Sequence, residues 1–276
     1  MPFGNPYKYF WTVQQGKESK SELRVTLLGT GTSQGVPVIA CVCEVCRSSD
    51  KKDKRLRVSA HIEYQGKNFI IDTGPDFRQQ ILREGISDLD AVLMTHEHKD
   101  HTAGMDDIRA FNFKYRKDMP VYATPRVQDA LKKEFHYIFE KEPYPGVPRL
   151  DLVSIDKDPF MASGIEVTPI EVLHYKLPVF GFRISNFAYI TDAKTISDEE
   201  AQKLFGLDVL VLNALRRKSH MSHLTLEEAL RWVERFKPKK AFLTHISHLM
   251  GKHEEIEKML PENVFLAYDG LSFGSS

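Results

Sequence analysis

The chain has 276 residues, of which 42% are hydrophobic and 28% are charged, and this suits one large α/β domain or two smaller ones. Its 38 basic and 38 acidic side chains cancel, whereas proteins that grip long nucleic acid usually carry a basic surplus. The sequence has no apolar run of roughly 20 residues that would span a membrane, and no secretory signal pattern at its start. We therefore expect a small substrate in preference to long nucleic acid, and no membrane partner.

One domain is predicted over residues 23–276, preceded by an N-terminal extension over residues 1–22. In chain order, a strand runs into a glycine-rich turn at 23–35, and 59–74 has the pattern of a hairpin. Many strands with helices between groups of them predict two sheets covered by helices in one α/β body. Helices are predicted at 76–85, 125–141, 197–206 and 225–237, and further strands at 89–98, 120–125, 150–155, 165–174, 180–192, 207–215, 239–247 and 264–270.

All three cysteines lie in the stretch CVCEVC, as Cys41, Cys43 and Cys46. An odd, clustered set is not a disulfide framework, and in a reducing compartment such a cluster more often binds metal. The cluster therefore indicates a cytoplasmic protein with a metal clip that lacks a fourth ligand. The alternative is that the cysteines are small apolar residues in a loop core.

The strongest chemical signal is THEHKDH, residues 95–101, which follows an apolar strand. Alternation along an extended segment sends His96, His98 and Asp100 to one side, and His101 then turns the chain. Such a cluster can supply imidazole and carboxylate ligands to two adjacent metal ions, although a polar surface loop is the alternative. Further candidates stand where other apolar strands stop: His174, Asp192 and His245.

This series of motifs resembles the metallo-β-lactamase superfamily. The resemblance covers residues ~23 to 273 and implies a four-layer αββα sandwich with the site at the edge between its two sheets. It also implies that Asp72, in FIIDTG, organises the histidine loop from behind. The implied assignment places one metal on His96, His98 and His174, a second on Asp100, His101 and His245, and Asp192 between them as a bridge.

The position of His98 indicates the type of chemistry. Oxygen-reducing di-iron members of the superfamily carry a carboxylate there, so the resemblance favours hydrolysis over redox chemistry. Imidazole and carboxylate ligands suit zinc or manganese. Glu97 points the other way and is predicted to be structural.

His248 is the predicted fourth ligand of the clip. It lies three residues after His245, and the implied fold brings this loop and the cysteine loop to one sheet edge. Three cysteines and a histidine would form a closed structural zinc site. With LLGTGTSQGVP, IDTGPDFR and LTHISH, the clip resembles phosphodiesterases of the PhnP type, which cleave phosphoribosyl cyclic phosphate, and the related tRNase Z group.

The resemblance also implies a catalytic histidine, His223, in the stretch KSHMSHLTLEEAL, with His220 as the alternative. Thr225 and Glu228 have the spacing of a capping box, which would fix the loop that carries His223. The alternative without a catalytic role is a helix-capping loop whose histidines lie on the surface.

The expected function is cleavage of a phosphodiester by a hydroxide that bridges two metal ions, with Asp100 orienting the hydroxide and His223 protonating the leaving group. Alternatives are tRNA 3′-end processing, which usually needs a flexible arm not visible in this sequence, and a thioesterase or lactonase, which has no obvious use for His223. A non-catalytic metal-binding protein is the remaining alternative. Dimers are common among relatives, so a homodimer is possible by analogy alone, and the sequence does not decide the oligomeric state.

Overall fold

The computed structural model describes residues 23–275. The predicted extension over residues 1–22 lies outside the described residues. Among those described, fourteen strands form two seven-stranded sheets. The strands are β1 Leu23–Gly29, β2 Ser59–Tyr64, β3 Lys67–Ile71, β4 Ala91–Leu93, β5 Met119–Ala123, β6 Leu150–Ser154, β7 Phe160–Ala162, β8 Ile165–His174, β9 Leu177–Ile184, β10 Phe187–Ile190, β11 Val209–Asn213, β12 Lys240–Thr244, β13 Val264–Leu266 and β14 Ser272–Ser275.

Eight α-helices occur within the same residues, most of them short. They are α1 Glu44–Arg47, α2 Phe77–Glu84, α3 Lys99–Thr102, α4 Arg109–Tyr115, α5 Pro125–Glu134, α6 Asp198–Ala201, α7 Leu226–Phe236 and α8 His253–Glu257. The ends of the longer helices follow local sequence rules. The Thr124 side chain and Pro125 start α5, and α7 begins with the predicted capping box of Thr225 and Glu228.

Each sheet is part antiparallel and part parallel. The first has the order β14-β1-β2-β3-β4-β5-β6 and the second β13-β12-β11-β10-β9-β8-β7. From β3 to β6 and from β10 to β13 the neighbouring strands run parallel. Since parallel strands end at the same edge of a sheet, the loops after β3, β4, β10 and β12 gather at one edge of the two sheets.

Three apolar clusters define the layers. One fills the space between the two sheets, with Phe69, Phe182 and Tyr189 fully buried. A second lies between the second sheet and α6, α7 and α8, and a third lies between the first sheet and α2, α4 and α5. The predicted four-layer αββα sandwich is therefore confirmed.

Several element boundaries differ from prediction. The segment 180–192, predicted as one strand, is two strands that turn at Ser185, whose φ is +54°. The helix predicted over 125–141 ends at Glu134 and gives way to a short 3₁₀ turn, His136–Ile138. The sequence reading missed α4 and α8, because their short apolar faces give weak periodicity. Within residues 23–275, the longest helices are too short and too polar to cross a bilayer.

Candidate metal centre

The histidine loop follows β4 at the sheet edge. His96 and His101 are fully buried, whereas His98 is exposed, so the cluster opens to solvent on one side. Asp72, just after β3, contacts His101 Nδ1 through Oδ2 at 2.6 Å. The same carboxylate accepts hydrogen bonds from Thr95 N at 2.9 Å and Thr95 Oγ1 at 2.7 Å. Asp72 thus holds the His101 ring with its other nitrogen, Nε2, turned toward the centre of the cluster.

Left-handed backbone turns three side chains into the site. Asp72, Asp192 and His245 have φ values of +61°, +57° and +56°, a region that residues other than glycine rarely occupy. Asp72 and His245 follow directly on β3 and β12, and Asp192 lies two residues after the end of β10, so the turn swings each side chain away from the alternation of its strand. Such strain clusters at functional sites, and nothing in the sequence patterns reports it.

Gly74 permits a close backbone approach beneath this loop. A Cβ at this position would lie 2.2 Å from the carbonyl oxygen of Asp100. The glycine that ends IDTG is therefore required by the contact between the loop after β3 and the turn that carries Asp100.

Asp192 lies between two groups of imidazoles. Its Oδ2 is 3.8 Å from His96 Nε2 and 4.0 Å from His174 Nε2. His98 joins the same side, with its Nδ1 3.0 Å from His96 Nε2. The structure therefore brings together the residues assigned to the first metal around one oxygen of Asp192.

The other oxygen of Asp192 faces the second predicted group. Its Oδ1 is 3.2 Å from His245 Nε2 and 3.4 Å from His101 Nε2. Asp100 Oδ2 lies 3.3 Å from His101 Nε2 and 3.9 Å from His245 Nε2. All seven predicted ligands thus lie in one cluster, divided by the two oxygens of Asp192.

The cluster fits divalent cations. Buried nitrogens at its centre, His101 Nε2 and His245 Nε2, make no hydrogen bond, which is costly unless a cation occupies the space between them. Burial lowers the pKa of His101, but Asp192, Asp72 and Asp100 outweigh it and raise that pKa well above its usual value. The carboxylates therefore attract positive charge to this point, and imidazole with carboxylate donors suits zinc or manganese.

The loop before α7 places His223 beside the cluster. The ring of His174 contacts the carbonyl oxygen of Ser222 through Nδ1 at 2.9 Å, and Leu224 N donates to the carbonyl oxygen of Ala193 at 2.9 Å. His223 Nδ1 lies 4.0 Å from Asp192 Oδ2. The predicted acid, His223, therefore lies close enough to His174 and Asp192 that these three side chains could together hold a metal ion.

The electrostatic surroundings of His223 change one expectation. Burial, followed by repulsion from His245, lowers its pKa to about 2, so the imidazole is neutral near pH 7 before substrate binds. A bound phosphodiester anion would favour the protonated form. His220, the alternative acid, lies farther out, with its ring centroid 5.1 Å from that of His223.

Two contacts at the site were not predicted from the sequence. Thr95 Oγ1 lies 3.0 Å from His96 Nδ1 and also donates a hydrogen bond to Asp72. The only sequence feature that could have indicated this role is the position of Thr95 directly before His96. Glu97 points away from the cluster, as expected, and pairs with Arg126 at 3.2 Å, a partner that the sequence does not reveal.

The clip residues converge on one nitrogen. His248 Nδ1 lies 3.2 Å from Cys41 Sγ, 3.4 Å from Cys43 Sγ and 3.6 Å from Cys46 Sγ. Tetrahedral zinc with Zn–S of about 2.3 Å and Zn–N of about 2.0 Å would set each sulfur about 3.5 Å from the nitrogen. The backbone N–H of Cys46 is the largest cause of the lowered pKa of Cys43, about 6. Burial raises the pKa of Cys46 to about 11, so of these two thiols only that of Cys43 favours the thiolate, and it is the geometry of the four ligand atoms that fits a zinc ion.

The clip joins the two sheets at the site edge. The cysteine loop follows β1 of the first sheet, and His248 follows β12 of the second. Beside the clip, Gly31 pairs with Ile246 in an isolated bridge. Because His248 lies three residues after His245, a metal ion held by the clip would tie the His245 loop to the loop of Cys41, which lies 207 residues before His248 in the chain.

Loss of the clip should lower both the stability of the fold and the affinity for the second active-site metal. We expect Cys43→Ser or His248→Ala to lower the melting temperature by about 5 °C or more, because closing so long a loop without the metal is entropically unfavourable. Excess metal should restore much of the activity in these variants, but none in His96→Ala.

Calorimetry and metal titration check this, with Ser48→Ala in the same loop as control. An unchanged melting temperature in Cys43→Ser protein would contradict the assigned role.

Comparison with known proteins places these motifs in a family. Residues 67–246 match the family described as Beta-lactamase superfamily domain. A crystal structure of a new diphosphatase from the PhnP family is similar, with a TM-score of 0.86, 40% identity, and coverage of 92% of this chain and 97% of that chain. Human tRNase Z, short form, shares the fold at a TM-score of 0.66 and 17% identity, covering 91% of this chain and 98% of that one.

A curated relative has a different kind of name. An octanoyltransferase of Porphyromonas gingivalis (strain ATCC BAA-308 / W83) is 43% identical over 252 residues, which cover 90% of this chain. The chain spans about half the length of that relative, 51%, so the name describes a protein with much additional sequence. The PhnP-family diphosphatase, by contrast, is matched over nearly its full length. The chain therefore belongs to the beta-lactamase superfamily and, within it, to the PhnP family.

Proposed function

We propose that this chain is a metal-dependent hydrolase that cleaves a P–O bond in a small phosphodiester, such as a cyclic ribose phosphate or a diester of diphosphate. The observation that carries the proposal is the division of the cluster by Asp192, with one oxygen toward His96 and His174 and the other toward His101 and His245. Two divalent ions held there would polarise the phosphate and lower the pKa of a water molecule. The diphosphatase similarity supports the phosphorus chemistry.

The chain's own groups have separate tasks in this proposal. Asp192 and Asp100 supply the negative charge that retains the cations, and Asp100 also orients the attacking water. The exposed face at His98 admits the substrate. His223, buried beside Asp192 and neutral in the free protein, takes up a proton when the phosphodiester anion binds, and it then donates that proton to the departing oxygen.

A substrate panel tests the proposal. Purified protein loaded with Zn²⁺ or Mn²⁺ would be assayed on bis-aryl phosphodiesters, ribose cyclic phosphates, a diphosphate diester, precursor tRNA and an octanoyl thioester. We expect turnover of the small phosphorus esters. Activity confined to the thioester would favour acyl chemistry and refute the proposal, and activity confined to precursor tRNA would favour 3′-end processing.

A further inference from the structure

A buried arginine lies behind the loop that carries His245. Arg55 is only 4% exposed, and it belongs to the segment between the clip and β2. Its guanidinium donates to Thr30 Oγ1 at 2.9 Å and to the carbonyl oxygen of Ala267, and contacts His253 Nδ1 at 3.2 Å. A buried charge requires such partners, yet Arg55 belongs neither to the metal cluster nor to the clip.

Asp269 completes the network from the other side. Its Oδ1 accepts a hydrogen bond from Thr30 Oγ1 at 2.8 Å, and its Oδ2 accepts one from Leu56 N at 2.7 Å. The Thr30 hydroxyl therefore accepts from Arg55 and donates to Asp269 at once. With both of its roles used, this hydroxyl is fixed in one orientation.

The network leads directly to the peptide after His245. The carbonyl oxygen of Thr30 accepts a hydrogen bond from Ile246 N at 2.8 Å, and Thr32 N donates to the carbonyl oxygen of Ile246 at 3.1 Å. His245 itself has left-handed backbone at φ +56°, which must be held by its neighbours. The backbone of Arg55 also pairs with Val36, on the way to the clip, with N–O distances of 2.7 and 2.8 Å.

We propose that Arg55, Asp269 and Thr30 form a positioning unit for His245, which sets the affinity for a divalent cation of the group formed by Asp100, His101 and His245. The unit is separate from the cysteine clip and needs no metal of its own. It rests on the metal assignment made above but not on the reaction. Groups that position a metal ligand typically change metal affinity by about 10- to 100-fold when altered.

The test uses a shape-conserving change of the full chain. Thr30→Val removes the hydroxyl that joins Arg55 to Asp269, so each of these two residues loses one of its partners, whereas Thr30→Ser keeps the hydroxyl. Thr26→Val is the matched control, because Thr26 lies four residues earlier and its hydroxyl donates to Ser272 Oγ at 3.2 Å, outside the network of Thr30. Zn²⁺ binding would be followed by titration against a chelator and by metal content per chain.

We expect Thr30→Val to bind its second active-site Zn²⁺ about 10-fold more weakly, with the first ion and the clip ion unchanged, and Thr30→Ser to bind as wild type. Wild-type affinity for the second active-site ion in Thr30→Val, or an equal loss at all three sites, would overturn the proposal.

Two further outcomes are decisive. If Thr30→Val does not fold, Asp269→Asn must show the same selective loss, and its absence would refute the positioning role. If the wild-type protein binds no second active-site ion, the metal assignment fails and this proposal fails with it, whereas an inactive protein that binds both ions leaves it intact and removes only the proposed reaction.

Discussion

Asp192→Asn should release both active-site cations and lower phosphodiester turnover by at least ~10³-fold. Loss of one group that stabilises charge in a transition state costs about 10²- to 10³-fold, and Asp192 faces both halves of the cluster. Although burial opposes its ionisation, His245 and His101 hold the pKa of Asp192 well below its usual value, so a neutral amide removes a charge that is present at all physiological pH values.

The measurement is metal content per chain together with turnover. Asp53→Asn is the matched control, because Asp53 is as buried as Asp192, each 2% exposed, and its carboxylate accepts a hydrogen bond from His253 N at 2.7 Å away from the cluster. Normal metal content in Asp192→Asn would contradict the bridging role.

His223→Ala should lower turnover of substrates with alkyl leaving groups by ~10²-fold or more, the usual contribution of a general acid. Metal content and fold should remain normal. The loss should shrink for leaving groups of low pKa, such as p-nitrophenolate, because they depart without a proton.

Rates over a series of leaving groups check this dependence. His61→Ala serves as control, because His61 is a similarly buried histidine that bonds to Asn68 outside the site, at 3.1 Å. If His223→Ala keeps full activity on an alkyl-leaving substrate, the assignment is wrong and His220→Ala is the next variant. Loss of metal from His223→Ala would instead make this residue a ligand, as its place beside His174 and Asp192 allows.

The ligand cluster was predictable because its residues stand where apolar strands stop. Parallel strands end at a common edge, which brings Asp192 and His245 together in the second sheet. That His96, at the edge of the first sheet, joins them was implied by the resemblance to the metallo-β-lactamase superfamily. The fourth clip residue, His248, was predicted from the fold that this resemblance implies, which brings its loop to the cysteine loop. The positions of strand ends and the types of side chain leave patterns in the sequence, whereas the packing of the two sheets was supplied by the resemblance.

The supports behind the ligands leave no such patterns. Left-handed backbone at Asp192 and His245 arises from tertiary contacts rather than from local preference. The partner of Glu97 is Arg126, and that of Thr30 is Arg55, and no periodicity links residues so far apart in the chain. The neutral state of His223 likewise depends on burial and on His245, which are visible only in three dimensions.

Anomalous X-ray diffraction from crystals of active, metal-loaded protein tests the central claim most directly. The account predicts three ions per chain: two about 3.5 to 4 Å apart with one oxygen of Asp192 on each, and one held by Cys41, Cys43, Cys46 and His248. A single ion at the clip in fully active protein, or one ion alone in the histidine cluster, would contradict it.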